Sequence, residues 1–201
     1  MHIADGALST PVMAATNVLA AAGVAGSLRK VDYERVPRVG VLAAVFFMGS
    51  FIHVNIGPSS VHLLLNGLLG LLLGWAALPA LTVALFLQAV LLGYGGLSAL
   101  GANVLGMGLP ALAIALFFAP RCRRAATRRQ AALWGSLAGA TSVALTCIGV
   151  ALLLHLSNPR AYAAAVKALV LAHVPVAVIE AFVVGAAVAF LHKVRPDLLD
   201  V

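Results

Sequence analysis

Long apolar runs separated by short breaks rich in Gly, Pro or basic residues organise the chain. Seven runs predict helices over residues 8–28, 38–54, 60–77, 79–93, 97–119, 129–156 and 159–193. Most are close to the roughly 20 apolar residues that an α-helix needs to cross the hydrocarbon core of a bilayer. The last run is too long for one crossing at about 1.5 Å rise per residue. Pro175 is expected to divide it, after an amphipathic first half that opens at Asn158-Pro159, carries Arg160 and Lys167, and lies outside or along the interface. The expectation is therefore an all-α fold: one polytopic membrane domain over residues 1–201, a bundle of about seven transmembrane helices.

Composition sharpens that reading. The chain is 63% hydrophobic and 9% charged, with mean hydropathy +1.07, against about a quarter charged in an average soluble domain. The lipid bilayer is its solvent. A net charge of +7 would suggest nucleic acid in a soluble protein, but here the basic residues cluster at the ends of apolar runs, which is a topology signal and no nucleic-acid footprint. Eleven of the thirteen Lys and Arg fall after the first, fifth and last helices: Arg29, Lys30, Arg35 and Arg38, then Arg121, Arg123, Arg124, Arg128 and Arg129, then Lys193 and Arg195. Those loops are expected on the cytoplasmic side, with the N-terminus outside and the C-terminus in the cytoplasm.

A signal peptide would carry positive charge before its apolar run, whereas Arg29-Lys30 follow the first run here, so that segment is expected to stay attached. Cys122 and Cys147 form no CxxC pair and predict neither disulfide nor zinc site. Small residues recur every four positions at Gly70 and Gly74, Gly135 and Gly139, and Ala181, Gly185 and Ala189. Such stripes permit close helix approach, within one bundle or against another membrane subunit.

The chemistry concentrates at the start of the chain, in residues 1–7. His2 follows Met1, and a bulky second residue normally blocks removal of the initiator. A free Met1 amine, the His2 backbone nitrogen and His2 Nδ1 would close a five-membered and a six-membered chelate ring around one metal, leaving a square that one more imidazole completes. Four nitrogens in that arrangement favour Ni(II) or Cu(II), and Co(II) accepts similar donors. The amide must lose a proton, so affinity falls in acid. The candidate fourth ligand is His62, expected at the outward start of the third helix on the same side as His2.

Four stretches resemble the CbiM/NikM family, the substrate-binding components of energy-coupling-factor transporters for cobalt and nickel. They are Met1-His2-Ile3-Ala4-Asp5-Gly6, Gly57-Pro58-Ser59-Ser60-Val61-His62-Leu63-Leu64-Leu65-Asn66-Gly67, Gly95-Gly96-Leu97-Ser98-Ala99-Leu100-Gly101-Ala102-Asn103, and His173-Val174-Pro175-Val176-Ala177-Val178-Ile179-Glu180, in that order over nearly the whole chain. The resemblance implies a seven-helix bundle whose N-terminal segment is drawn into an outward pocket, with Co2+ or Ni2+ held by the Met1 amine, His2 and His62. It also implies partners: a transmembrane coupling subunit, cytosolic ATPase subunits and, in many such systems, a small accessory membrane protein. Ala4 and Ala7 depart from the Pro and the bulky apolar residue that the family often has there, which would loosen the terminal loop without touching a ligand.

The remaining polar residues leave two readings each. Asn66 and Asn103 either bond between helices or, with Asp5, Ser59 and Ser60, orient His62 and the N-terminal loop. Glu180 is the only acidic residue inside an expected span, on about the same face as His173; it is either a structural partner or a functional carboxylate. His53 is an anchor or an ion-entry ligand, and His155 and His192 read as interfacial. No GxxxxGK[ST] loop is present, so ATP hydrolysis would come from other proteins. An intramembrane protease is disfavoured by the lack of HExxH, and Gly135-Ser136-Leu137-Ala138-Gly139 reads as a packing motif. A stand-alone channel or secondary carrier for divalent metals is the alternative, and would usually show more intramembrane carboxylates or histidines.

Overall fold

The computed structural model describes residues 2–56 and 59–199, and the side chains of Tyr33 and of residues 53–61 lie outside that description. Helices dominate: α1 (Thr10–Leu28), α2 (Val36–Gly49), α3 (Asn66–Leu73), α4 (Ala77–Leu92), α5 (Leu100–Phe117), α6 (Ala119–Arg123), α7 (Arg128–Ser157) and α8 (Pro159–Val194). One short antiparallel hairpin, β1 (His53–Ile56) with β2 (Ser59–His62), lies between α2 and α3 and pairs His53 with His62.

Helix starts follow local chemistry. Pro11 and Pro37 occupy first-turn positions of α1 and α2, where a missing N–H costs nothing. Thr127 accepts the Gln130 amide to cap α7, and Asn158 accepts the Ala161 amide ahead of Pro159 to cap α8. Pro175 does not divide α8, contrary to the expectation above: the helix runs 36 residues without interruption. Its packing on α7 explains why. Gly139 meets the Glu180 carbonyl and Val184, Gly135 meets Val184 and Val188, and Gly185 meets Ser136, so the backbones lie too close for the helix to swing away.

Two expected boundaries move. The run 38–54 stops being helical at Gly49, and the expected helix 60–77 begins only at Asn66, so His62 sits on β2 rather than on a helix. Four helices, Thr10–Leu28, Leu100–Phe117, Arg128–Ser157 and Pro159–Val194, are long and apolar enough to cross a membrane, and Asn66–Leu92 also meets that length as one run. That run nevertheless reverses at Gly74, whose φ of 56° few side chains tolerate. Asn66 and Gly70 approach Met107 and Ala111, so α3 runs parallel to α5; Leu78 and Leu81 meet Gly108 while Gln88 reaches the His2 end, so α4 runs antiparallel to it.

The main core joins α1 to α5 with α7 and α8, through Phe46, Leu64, Leu69, Leu81, Leu85, Met107 and Val143 among others. The apolar surface that lipid would solvate includes Val18, Phe86, Leu109, Phe117, Ile148, Val178 and Phe182, all exposed. One end of the bundle carries His2; at the other, Lys30 lies over the Trp75 ring and the basic residues gather around the α3–α4 turn.

Candidate metal centre

At the His2 end, the α4–α5 loop, the first turn of α5 and the start of α8 hold the N-terminal segment. Asn103, in the first turn of α5, grips Ile3 twice: its Oδ1 accepts the Ile3 amide at 2.8 Å and its Nδ2 donates to the Ile3 carbonyl at 3.0 Å. An Asn side chain imitates a peptide group here and satisfies an extended backbone that has no strand partner. Asp5 Oδ1 accepts the Ser98 amide at 3.0 Å and its hydroxyl at 2.5 Å, which holds the Asp5 carboxyl below its ordinary value. Asn17 of α1 ties the same loop down, bonding the Ser98 carbonyl and the Gly101 amide, each at 2.8 Å. Tyr162 donates to the Ala7 carbonyl at 2.8 Å, closing the segment against α8. Ile3 and Leu8 are buried with Ala99, Ala102 and Val150, so the segment is docked by apolar contact as well.

That docking puts His2 beside His62. His2 Nδ1 and His62 Nε2 face each other at 3.3 Å. Each ring has its other nitrogen engaged: His62 Nδ1 contacts the Leu63 carbonyl at 2.8 Å and His2 Nε2 contacts Gln88 Oε1 at 2.8 Å. A backbone carbonyl accepts only, so the proton of His62 sits on Nδ1. With the Gln88 amide oxygen toward the ring, as it lies here, His2 carries its proton on Nε2. Both facing nitrogens therefore present lone pairs. Two acceptors cannot bond each other, and a cation drawn between them would satisfy both.

Burial, then the positive charge of the amino terminus, push the His2 imidazole down to about 4 against the opposing Gln88 hydrogen bond. The ring is thus a neutral donor at physiological pH. Tyr94 covers the pair, its ring 6.0 Å from that of His2 and 6.4 Å from that of His62, nearly parallel to the latter. Gly95 has φ of 78°, and a Cβ there would press on Asn103 and on His2, so this turn needs glycine.

The residues singled out above fall into three groups. His2, His62 and Asn103 converge, and Asp5 anchors the same segment from the Ser98 side. Asn66 lies deeper, its Nδ2 donating to the Met107 carbonyl at 3.1 Å and to Thr146 at 2.9 Å, which joins α3, α5 and α7. Met1 and the side chains of His53, Ser59 and Ser60 lie outside the described residues. His173 contacts its own helix through the Leu169 carbonyl, and His192 bonds the Ala125 carbonyl at 2.9 Å, at the opposite end. Among the described residues, no group of three or more His, Cys, Asp or Glu converges, at the His2–His62 pair or elsewhere.

Gln88, Tyr94 and Asn17 escaped the sequence reading. For Gln88 the signal was present: it is one of two polar residues in the run Ala77–Leu92, and a buried amide in an apolar helix requires a partner. Nothing local identifies that partner as a residue 86 positions earlier.

Comparison with known proteins identifies the family. Residues 2–198 match the sequence family CbiM, described as the cobalt uptake substrate-specific transmembrane region. The chain is 36% identical over its whole length to 97% of a Haemophilus influenzae protein whose name assigns it provisionally to metal transport. It is 35% identical to the cobalt transport protein CbiM of Sorangium cellulosum, covering 95% of that protein, and 35% identical to the fused nickel transport protein NikMN of Rhodobacter capsulatus, covering 64% of it. A crystal structure of a transition metal transporter superposes with a TM-score of 0.71 at 27% identity, covering 96% of this chain and 93% of the other.

Proposed function

This chain belongs to the CbiM family of cobalt-uptake transmembrane proteins, and from that premise we propose that it captures Co2+ or Ni2+ as the substrate-binding subunit of an ATP-driven importer. The observation that carries the reading is the pair of lone-pair nitrogens, His2 Nδ1 and His62 Nε2, facing each other at 3.3 Å in a site closed by the N-terminal segment. The His2 amide nitrogen and a free Met1 amine complete four nitrogens, a set that favours Ni(II) and that Co(II) accepts, against the tetrahedral preference of Zn(II). The metal is cargo: the segment that supplies three of the four donors is held by reversible polar contacts. Basic residues at the far end of the bundle support an extracytoplasmic His2 end and a cytoplasmic C-terminus in the inner membrane.

Partners follow from the chemistry that the chain lacks. Without a phosphate-binding loop, uphill import needs ATPase subunits in the cytosol and a transmembrane subunit to couple them, with a small accessory membrane protein as a further candidate. The fused relative, of which this chain covers 64%, supports a function shared with a further component.

The test is Ni(II) and Co(II) titration of the purified chain starting at Met1, beside His2→Ala, His62→Ala and a chain with one residue added before Met1. Loss of tight binding in all three establishes the chelate. Equal binding by the extended chain removes the Met1 amine from the site, and metal uptake by the chain reconstituted alone would favour a stand-alone carrier.

A further inference from the structure

Glu180 is fully buried in α8, and its Oε1 accepts two backbone amides, those of Leu64 and Leu65, the latter at 2.8 Å. Its Oε2 has no partner among the described residues. These amides precede α3, where Leu65 adopts a left-handed conformation with φ of 52°. Leu tolerates that conformation only where its surroundings enforce it.

The peptide between Leu63 and Leu64 links this contact to the metal centre. Its N–H points to Glu180 and its carbonyl oxygen accepts the Nδ1 proton of His62 at 2.8 Å. A peptide unit is planar and rigid, so a group that holds the N–H also sets the direction of the C=O. Acceptance at the N–H further polarises the carbonyl and strengthens it as an acceptor for the imidazole. Metal-bound imidazoles commonly use a carboxylate directly for this purpose. We infer that Glu180 is a positioning residue for metal capture, acting on His62 through the single Leu63–Leu64 peptide: a carboxyl–peptide–histidine relay from the middle of α8 to the ligand.

The relay explains why a buried carboxyl is aimed at a turn in an otherwise apolar helix. It also explains why the chain leaves β2 through a strained residue instead of extending α3 back to His62. The inference rests on His62 being a ligand, as proposed above.

The experiment uses the full chain in lipid nanodiscs. Ni(II) affinity is measured by competition titration for the native chain and for Glu180→Leu, Glu180→Gln, Asn66→Leu and His62→Ala, with amide exchange followed at Leu64 and Leu65. Glu180→Leu is expected to weaken binding about tenfold or more and to speed exchange at both amides. Glu180→Gln keeps an oxygen acceptor and is expected to stay near the native affinity, as is Asn66→Leu, which removes a buried bond from the bundle without touching the relay. Native affinity in Glu180→Leu, or equal loss in the Gln and Leu variants, overturns the relay.

Should Glu180→Leu fail to fold, the native chain still decides: coupling is reciprocal, so Ni(II) must slow exchange at Leu64. Unchanged exchange at Leu64 refutes the relay. Unchanged affinity in His62→Ala removes the underlying ligand assignment, a result distinct from failure of the relay alone.

Discussion

Replacing Gln88 by Leu tests whether the site works through the orientation of His2. Gln88 is completely buried, its Oε1 accepts the His2 Nε2 proton at 2.8 Å, and its Nε2 has no partner among the described residues. Leucine has nearly the same volume, so the helix packing of α4 is retained. The substitution removes one hydrogen bond worth about 1 kcal/mol, but it also removes an unpartnered buried amide whose burial costs about 1–3 kcal/mol, so overall stability should change little. Metal affinity should change much more. Without an acceptor at Nε2, the ring is free to carry its proton on Nδ1, the nitrogen that faces His62, and to rotate away from it. Loss of such an orienting contact weakens metal binding about 10- to 100-fold, or about 1.4–2.8 kcal/mol. Competition titration with Ni(II), with thermal unfolding of the metal-free protein in the same detergent, separates the two effects. Gln88→Glu, which keeps and strengthens the acceptor, should bind at least as tightly as the native chain. Native affinity in Gln88→Leu, or a loss matched by an equal loss of stability, would refute the reasoning.

Asn103→Ala leaves the buried amide and carbonyl of Ile3 without partners, at about 1–3 kcal/mol each; rapid exchange at the Ile3 amide and at least tenfold weaker nickel binding are expected, with unchanged helix content by circular dichroism. Lowering the pH should weaken metal binding well before it releases the N-terminal segment. The Asp5 carboxyl lies below its ordinary 3.8, so its grip on Ser98 is complete above that value and is lost only as the pH falls below it, whereas the His2 amide must be deprotonated for chelation at any pH. Affinity that stays flat from pH 8 to 6 would exclude the amide nitrogen as a donor. Gly70→Ala drives a Cβ into the Ala111 carbonyl, forcing α3 and α5 apart; destabilisation of about 1–3 kcal/mol, read by thermal unfolding, is the expected result.

The helical run from Leu100 to Phe117 and the long pair α7 and α8 were legible because lipid as solvent demands continuous apolar, internally hydrogen-bonded segments. The segment from Gly49 to Asn66 was not, since the short apolar stretches at its ends, Phe51-Ile52 and Leu63-Leu64-Leu65, are too brief for periodicity to tell helix from strand or turn. Pro175 misled for a related reason: a proline removes one backbone bond locally, but close packing on the glycines of α7 just beyond it, at Glu180, Val184 and Val188, fixes the course of α8. Asn66 and Asn103 look alike in sequence, each an amide in an apolar helix, yet one joins three helices and the other binds the N-terminal segment.

What the sequence determined by itself is local. The order of atoms in Met1-His2 defines a possible chelate ring, and the apolar runs define what lipid must cover. What only the tertiary structure decided is convergence. His62 lies 60 residues from His2, Gln88 lies 86 away and Asn103 lies 100 from Ile3. A metal or a proton responds to where lone pairs point within a fraction of an ångström, and those directions are set by helices packed against one another rather than by any neighbour along the chain.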